Sequence, residues 1–324
     1  MPFDLHRRLS YARLCLLITF IAVGLRVAYV LTFPTDVVRI EVDAIEYDVL
    51  AQNLVAGHGF ACHPGHPTCY RPPLWPVVLA GVYSVFGRSH LMARLVLALI
   101  GSTAPLLLML ATRRILSRGQ NLALGVILAC YPPLIVATGQ LMTETVFTVL
   151  LAGVMLLAAE WAARPSWDLA VALGIVLGLA ALARGNALLF APLLAFWMAT
   201  PLRAKAVRDV ALTAAATALV LMPWVARNAK VHHALVPVSC NSGYTFSLSF
   251  FPDSRALYHG ERAQAYVREA GRNVSSETVF DIVAEDNELT PDFVRSKIAR
   301  DLPGTPIPTT EPAMDGVLMH AALE

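Results

Sequence analysis

The chain has 324 residues and a formal net charge of +2, and 56% of its residues are hydrophobic against 15% charged. A soluble domain carries about 25% charged residues, and mean hydropathy here is +0.59. A soluble globular protein is thereby excluded, and the near-neutral charge argues against a nucleic-acid partner. Charges fall in short runs between long apolar stretches, the pattern of an all-α, polytopic transmembrane helix bundle. Basic residues are nearly all Arg, with Lys only at Lys205, Lys230 and Lys297. Together with the high Ala content this fits a GC-rich genome, and hence a bacterial inner membrane.

The first 13 residues are basic (His6, Arg7, Arg8, Arg13) and precede the apolar run 14–33. That run is long enough to span and lacks a small-residue cleavage site, so it reads as a retained first helix with a cytoplasmic N-terminus. Arg26 within it is expected to snorkel outward. Further spans are expected at 91–112, 121–139, 142–161, 168–183, 186–200 and 207–225, about seven in all. The fifth and sixth are short and read as a hairpin turning at Arg184-Gly185-Asn186 at the interface.

Residues 72–87 are apolar but short and open with Pro72, Pro73 and Pro76. If this segment does not span, Arg113, Arg114, Arg118, Arg164, Arg203, Lys205 and Arg208 all fall on the cytoplasmic side. The positive-inside rule therefore favours a re-entrant or interfacial helix, with a short true span as the alternative. This arrangement exposes the loop 34–90, the turns at 139–143 and 184–186, and a tail from 226 on the outer face.

In the outer loop Asp43 and Tyr47 are four apart, which places them on one face of an amphipathic helix. Glu41, Glu46 and Asp48 add acid, whereas a simple membrane-anchoring helix is basic. A solvated interfacial helix and a catalytic segment both fit this spacing. Arg71 precedes Pro72 and Pro73, which hold its backbone extended. A fixed guanidinium at headgroup depth is a natural phosphate clamp, and snorkelling to lipid is the simpler alternative. Cys62 and Cys69 bracket His63 and His66. In an oxidising compartment a disulfide is the simplest reading, with free thiols or a zinc set of two Cys and two His as alternatives. Cys15 and Cys130 read as packing residues, and Cys240 has no evident partner.

Glu144 stands at the outer mouth of a helix. It is either functional or a first-turn acid suited to the helix dipole after Thr143. Arg184 and Asn186 occupy the next outer turn, and Arg227 and Asn228 follow the seventh helix. Acids and phosphate-binding cations at the same membrane face suit an enzyme acting on a lipid phosphate.

The ordered series DAIEYDVLAQNLVAGHGF, PTCYRPPLWPVVLAGVYSVFG, Arg94 near the start of the next helix, LMTETVF, GLAALARGNALLF and PWVARN resembles the GT-C superfamily of membrane glycosyltransferases. More narrowly it resembles the bacterial relatives of protein O-mannosyltransferases and aminoarabinose transferases, over roughly residues 14–250. The resemblance implies a transmembrane bundle over 1–225 with an outer catalytic loop at 34–90 containing juxtamembrane helices. It implies a polyprenyl-phosphate sugar donor, and a single displacement on that donor would invert the anomeric carbon. Asp43 matches the essential carboxylate, Arg71 the basic residue at the donor phosphate, and Glu144 the acid at the mouth of the LMTE helix. Tyr47, Arg184, Arg227 and Asn228 are expected to bind donor or substrate.

Protein mannosyltransferases carry an adjacent Asp-Glu pair where this chain has Glu41-Val42-Asp43, which leaves the acceptor open among lipid, glycan and protein. A divalent metal is compatible with the family and not required by these residues. Family members continue with further helices, so 226–324 is expected to begin a missing C-terminal part. A secondary transporter is the main rival reading, but transporters place ionisable residues at the midplane of repeated halves, and no repeat is visible. A non-catalytic, truncated membrane paralogue is the other.

Overall fold

The computed structural model describes residues 2–32, 42–200, 204–242, 295, 298–299, 302 and 305–323. Glu41 and Arg203 lie outside the described residues. In chain order the elements are α1 (Pro2–Thr32), α2 (Val42–Val55), β1 (Ala61–His63), β2 (His66–Pro67), α3 (Leu74–Phe86), α4 (His90–Gly101) and α5 (Ala104–Thr112). They continue with α6 (Arg118–Cys130), α7 (Pro132–Val136), a 3-10 turn (Ala137–Gly139), α8 (Glu144–Ala163) and α9 (Trp167–Ala183). A second 3-10 stretch (Gly185–Leu189), α10 (Phe190–Ala199), α11 (Ala204–His232) and α12 (Glu311–Leu323) complete the order. The fold is all-α apart from one small antiparallel hairpin among the described residues.

Every segment expected to span is helical. Among the described residues, length and composition qualify four helices to cross a membrane, Tyr11–Thr32, His90–Thr112, Glu144–Ala163 and Ala206–His232, and a fifth if the bent pair α6–α7 counts as one span. Trp167–Ala183 and Gly185–Ala199 are apolar but shorter. Leu74–Phe86 is also a shorter apolar helix. Its 13 residues cover about 20 Å at about 1.5 Å per residue, against a hydrocarbon core of about 30 Å.

Contacts divide the chain into two units: Met1–Phe33 with Leu91–Leu221, and Pro34–His90 with Met222–Glu324. In the first, α6 opens with a capping box in which Ser117 and Gln120 each accept the other's backbone N–H. Its Asn121 is buried, donates to the Met109 carbonyl at 3.0 Å and Thr112 Oγ1 at 2.9 Å, and accepts from the Tyr11 hydroxyl at 2.5 Å. The helix then bends by 49° into α7. Pro132 and Pro133 have no N–H to give the carbonyls of Leu128 and Ala129. Arg26 supplies it instead, donating to the Ala129 carbonyl at 3.0 Å and the Leu128 carbonyl at 3.4 Å. Arg26 is fully buried, so it does not snorkel outward: two prolines on another helix create acceptors that keep it inside.

Helix α11 packs on α9 through small residues. Thr213 and Thr217 donate to the carbonyls of Ala170 and Gly174, both at 3.0 Å. A Cβ on Gly174 would collide with the Thr213 carbonyl, and one on Gly178 with Val220. Such close approach is how helices gain dispersion energy where lipid leaves little hydrophobic drive. The two ends of α8 carry opposite ion groups. Glu144 pairs with Arg184 at one end, while Glu160 collects Arg113, Arg114 and Arg164 at the other.

In the second unit, α2 ends at the Gly57-His58-Gly59 turn, where Gly57 takes φ 79° and closes the helix as only a residue without Cβ does cheaply. Pro64-Gly65 then turns β1 into β2, with His63 paired to His66 and Gly65 at φ 81°. This is the Pro-Gly chemistry of a type II turn. Asn53 of α2 holds the hairpin by donating to the carbonyls of Ala61 at 2.7 Å and Cys62 at 3.1 Å. Leu50, Phe60 and Cys62 pack with Trp224. Cys69, Tyr70, Val236, Cys240, Ile298, Met314 and Leu318 form a separate core.

Candidate active site

Helix α2 is not amphipathic. Ala44 to Asp48, Leu50 and Ala51 are all buried, so neither the expected polar face nor a water-facing acidic helix exists. Its acids are instead neutralised from within the unit. Arg71 is the centre of one group. Its NH2 lies 2.7 Å from Asp43 Oδ1, its Nε bonds Glu46 Oε2, and its guanidinium lies 5.8 Å from the centre of the Tyr47 ring. Asp43 is one turn from both Glu46 and Tyr47, so a single guanidinium engages all three. Asp43 keeps 33% of its side chain exposed while Glu46 has none. Asp43 is therefore the carboxylate of the pair that is open to solvent, and Glu46 the buried one. Burial opposes the Arg71 charge, but Glu46 and Asp43 together hold its pKa well above the ordinary value. It is a permanent cation.

A second group surrounds Asp48. It accepts from Tyr83 Oη at 2.5 Å, Arg88 at 2.6 Å and Gln52 at 3.0 Å, and lies 3.1 Å from His90 Nε2. Burial alone would raise its pKa, but the hydrogen bonds and charges of His90 and Arg88 outweigh that and lower it. These contacts tie α2 to α3 and to the turn after it, with Asp48 and His90 both fully buried.

Arg227 and Asn228, expected just past the seventh helix, lie within α11, which runs on to His232, and they serve the same unit differently. Arg227 donates to the carbonyls of Thr68 at 2.6 Å and Phe60 at 2.9 Å, and to Asn228 Oδ1 at 2.9 Å. It also lies over the Trp224 ring at 4.9 Å. Asn228 is buried and donates to the Val236 carbonyl at 3.1 Å. Their donors hold the hairpin and the segment after α11. Glu144 and Arg184, in the first unit, form a half-buried pair at 3.1 Å. The structure thus gathers Asp43, Tyr47 and Arg71 in one place, Glu144 with Arg184 in a second, and Arg227 with Asn228 in a third.

The expected cysteine pairing is not observed. Cys62 and Cys69 form no disulfide. Cys69 lies beside Cys240, whose N–H donates to the Cys69 carbonyl at 3.0 Å, so Cys240 has a neighbour that no spacing in the sequence announces. Among the described residues, Cys62, His63, His66 and Cys69 do not gather as a metal set, and neither do the carboxylates around Asp43. A divalent ion does not fit between Asp43 and Glu46, because Arg71 already occupies that position as their counter-charge.

Sequence reasoning missed Glu46 and the Asp48 group as structured elements. Glu46 was accessible from its i+3 spacing to Asp43. His90 lies 42 positions from Asp48, and no local pattern connects them.

Apolar helices of spanning length make this a polytopic membrane protein. Residues 70–226 carry the sequence pattern of a known family, matching the model described as dolichyl-phosphate-mannose-protein mannosyltransferase. The match points to a membrane glycosyltransferase. It includes Arg71, Glu144 and Arg184, and leaves Asp43, Tyr47, Arg227 and Asn228 outside. A search of curated proteins finds no match.

Proposed function

We propose that the chain transfers a sugar from a polyprenyl-phosphate donor to a hydroxyl of a lipid, glycan or protein acceptor at the outer face of the inner membrane. The observation that carries this reading is Asp43, a part-exposed carboxylate held at 2.7 Å by the buried Arg71. The family matched over 70–226 supplies the reaction class.

In this reading the acceptor oxygen attacks the anomeric carbon while Asp43 takes its proton, and the bond to the polyprenyl phosphate breaks with inversion. Ionised Asp43 neutralises part of Arg71. Once Asp43 is protonated, that hold weakens and the guanidinium is free to stabilise the charge developing on the phosphate. A fixed donor that strengthens as the leaving group ionises lowers the barrier rather than merely binding the ground state. Tyr47 keeps the guanidinium in place from its ring side. Glu144 with Arg184 is a separate pair within the first unit and a further candidate for substrate binding, and Arg227 with Asn228 shapes the loop that carries Arg71.

The test is transfer from polyprenyl-phosphate sugars in membranes holding wild-type or D43N protein at equal amounts. A general base contributes about 10²–10⁴-fold, and D43N is expected to lose activity in that range. Transfer at the wild-type rate by D43N refutes the assignment. Ion-coupled uptake of a soluble substrate by the wild type would favour the transporter reading.

A further inference from the structure

Cys69, Cys240 and Glu311 come together from three separated parts of the second unit. One ligand atom from each lies within 4.8 Å of the others, and all three residues are buried. We infer that these residues form a binding site for a zinc-type divalent transition-metal ion, independent of the Asp43 site.

The donor set fits such an ion. Thiolates select zinc and other soft to borderline metals over magnesium or calcium, and a carboxylate completes a mixed sulfur–oxygen set. Zinc–sulfur bonds of about 2.3 Å in a tetrahedron place ligand atoms somewhat under 4 Å apart, so the observed cluster closes on an ion with a small contraction. The carboxylate is already oriented. Glu311 Oε2 accepts from the Cys69 N–H at 2.7 Å and Thr68 Oγ1 at 3.0 Å, and lies 3.8 Å from Cys240 Sγ. Outer hydrogen bonds of this kind fix ligands in metal sites.

The surroundings argue the same way. Tyr70, Val236, Met314 and Leu318 make an apolar shell around the two cysteines. A carboxylate placed in such a shell is costly unless its charge is compensated. A divalent ion that displaces both thiol protons to solvent leaves the net charge of the group at −1, as before, but gives the buried carboxylate a direct cationic partner. Arg227, bound to the Thr68 carbonyl at 2.6 Å, would offset the charge that remains. Glu311 also lines a cavity of about 470 Å³ with Cys62, His63, His66, His232 and Arg295. Water therefore reaches the cluster from the Glu311 side, where a fourth ligand would enter.

The experiment is metal analysis of the full chain, purified in detergent without chelator, with cobalt substitution as the optical readout. About one zinc per chain is expected, and cobalt should show thiolate charge-transfer absorption that C240S abolishes. T68V keeps all three ligands and removes one bond to Glu311; it should weaken zinc binding about 10-fold or more. It therefore tests the site even if C240S fails to fold. Three results overturn the inference: no bound metal in the wild type, a Cys69–Cys240 crosslinked peptide in non-reducing digests, or zinc retained by C240S and T68V but lost from the H63A/H66A variant. None of these readouts depends on transfer activity, so their failure leaves the proposed reaction standing.

Discussion

Arg71 donates to Asp43 at 2.7 Å from a side chain that is itself 9% exposed. The same guanidinium bonds fully buried Glu46. One cation thus joins a carboxylate near solvent, the proposed base, to a carboxylate in the interior. The two roles separate by mutation.

Removing Arg71 takes from fully buried Glu46 the cation it is paired with. Breaking a buried ion pair from one side costs about 3–5 kcal/mol. R71A should therefore lower thermal stability in detergent by that order as well as abolish transfer. R71K retains the charge but not the fork that spans two carboxylates, so only part of the loss returns. D43N should leave the melting temperature near wild type while removing activity. Equal destabilisation by D43N and R71A would mean that Asp43 is structural.

Asp48 makes a pH-dependent contribution whose sign follows from its lowered pKa. It ionises more readily folded than unfolded. Its stabilisation is fully present above the unfolded aspartate value of about 3.9 and is lost as pH falls through the lower folded value. D48N should melt below wild type at neutral pH, and the gap should close as pH drops below about 3.9. A gap that stays constant from pH 7 to pH 3 would show that packing, not ionisation, is what the substitution disturbs.

Arg26 and the two prolines are a compensating set. R26L leaves the Leu128 and Ala129 carbonyls without the donors they have now. An unsatisfied buried acceptor costs about 1–3 kcal/mol. The loss should shrink when Pro132 and Pro133 are both replaced by Ala, because their restored N–H groups can close the helix. The same loss in both backgrounds would sink this account of the bend.

Gly174 tests the contact between α9 and α11. A methyl there meets the Thr213 carbonyl, and overpacking costs about 1–3 kcal/mol. G174A should lower thermal stability by that order, whereas G119A, where a Cβ meets nothing within 4 Å, should not. Wild-type stability in G174A would refute the close packing.

The sequence by itself determined the membrane class, the positions of the apolar helices and the short helix after Arg71. These follow from composition and from runs of neighbouring residues, and hydrocarbon admits few alternatives to a helix. It also placed Asp43 and Tyr47 on one helix face, since i,i+4 spacing is local geometry. The tertiary structure alone decided which charges meet. Arg71 closes on Asp43 and Glu46, Asp48 finds His90, Arg26 finds carbonyls freed by two prolines, and Cys69 takes Cys240 rather than Cys62. Glu46 and Asp48, acids that fit a solvated face, are buried, with partners more than twenty positions away neutralising them. Pairing at that range is set by how helices and loops pack, and no property of a short window encodes it.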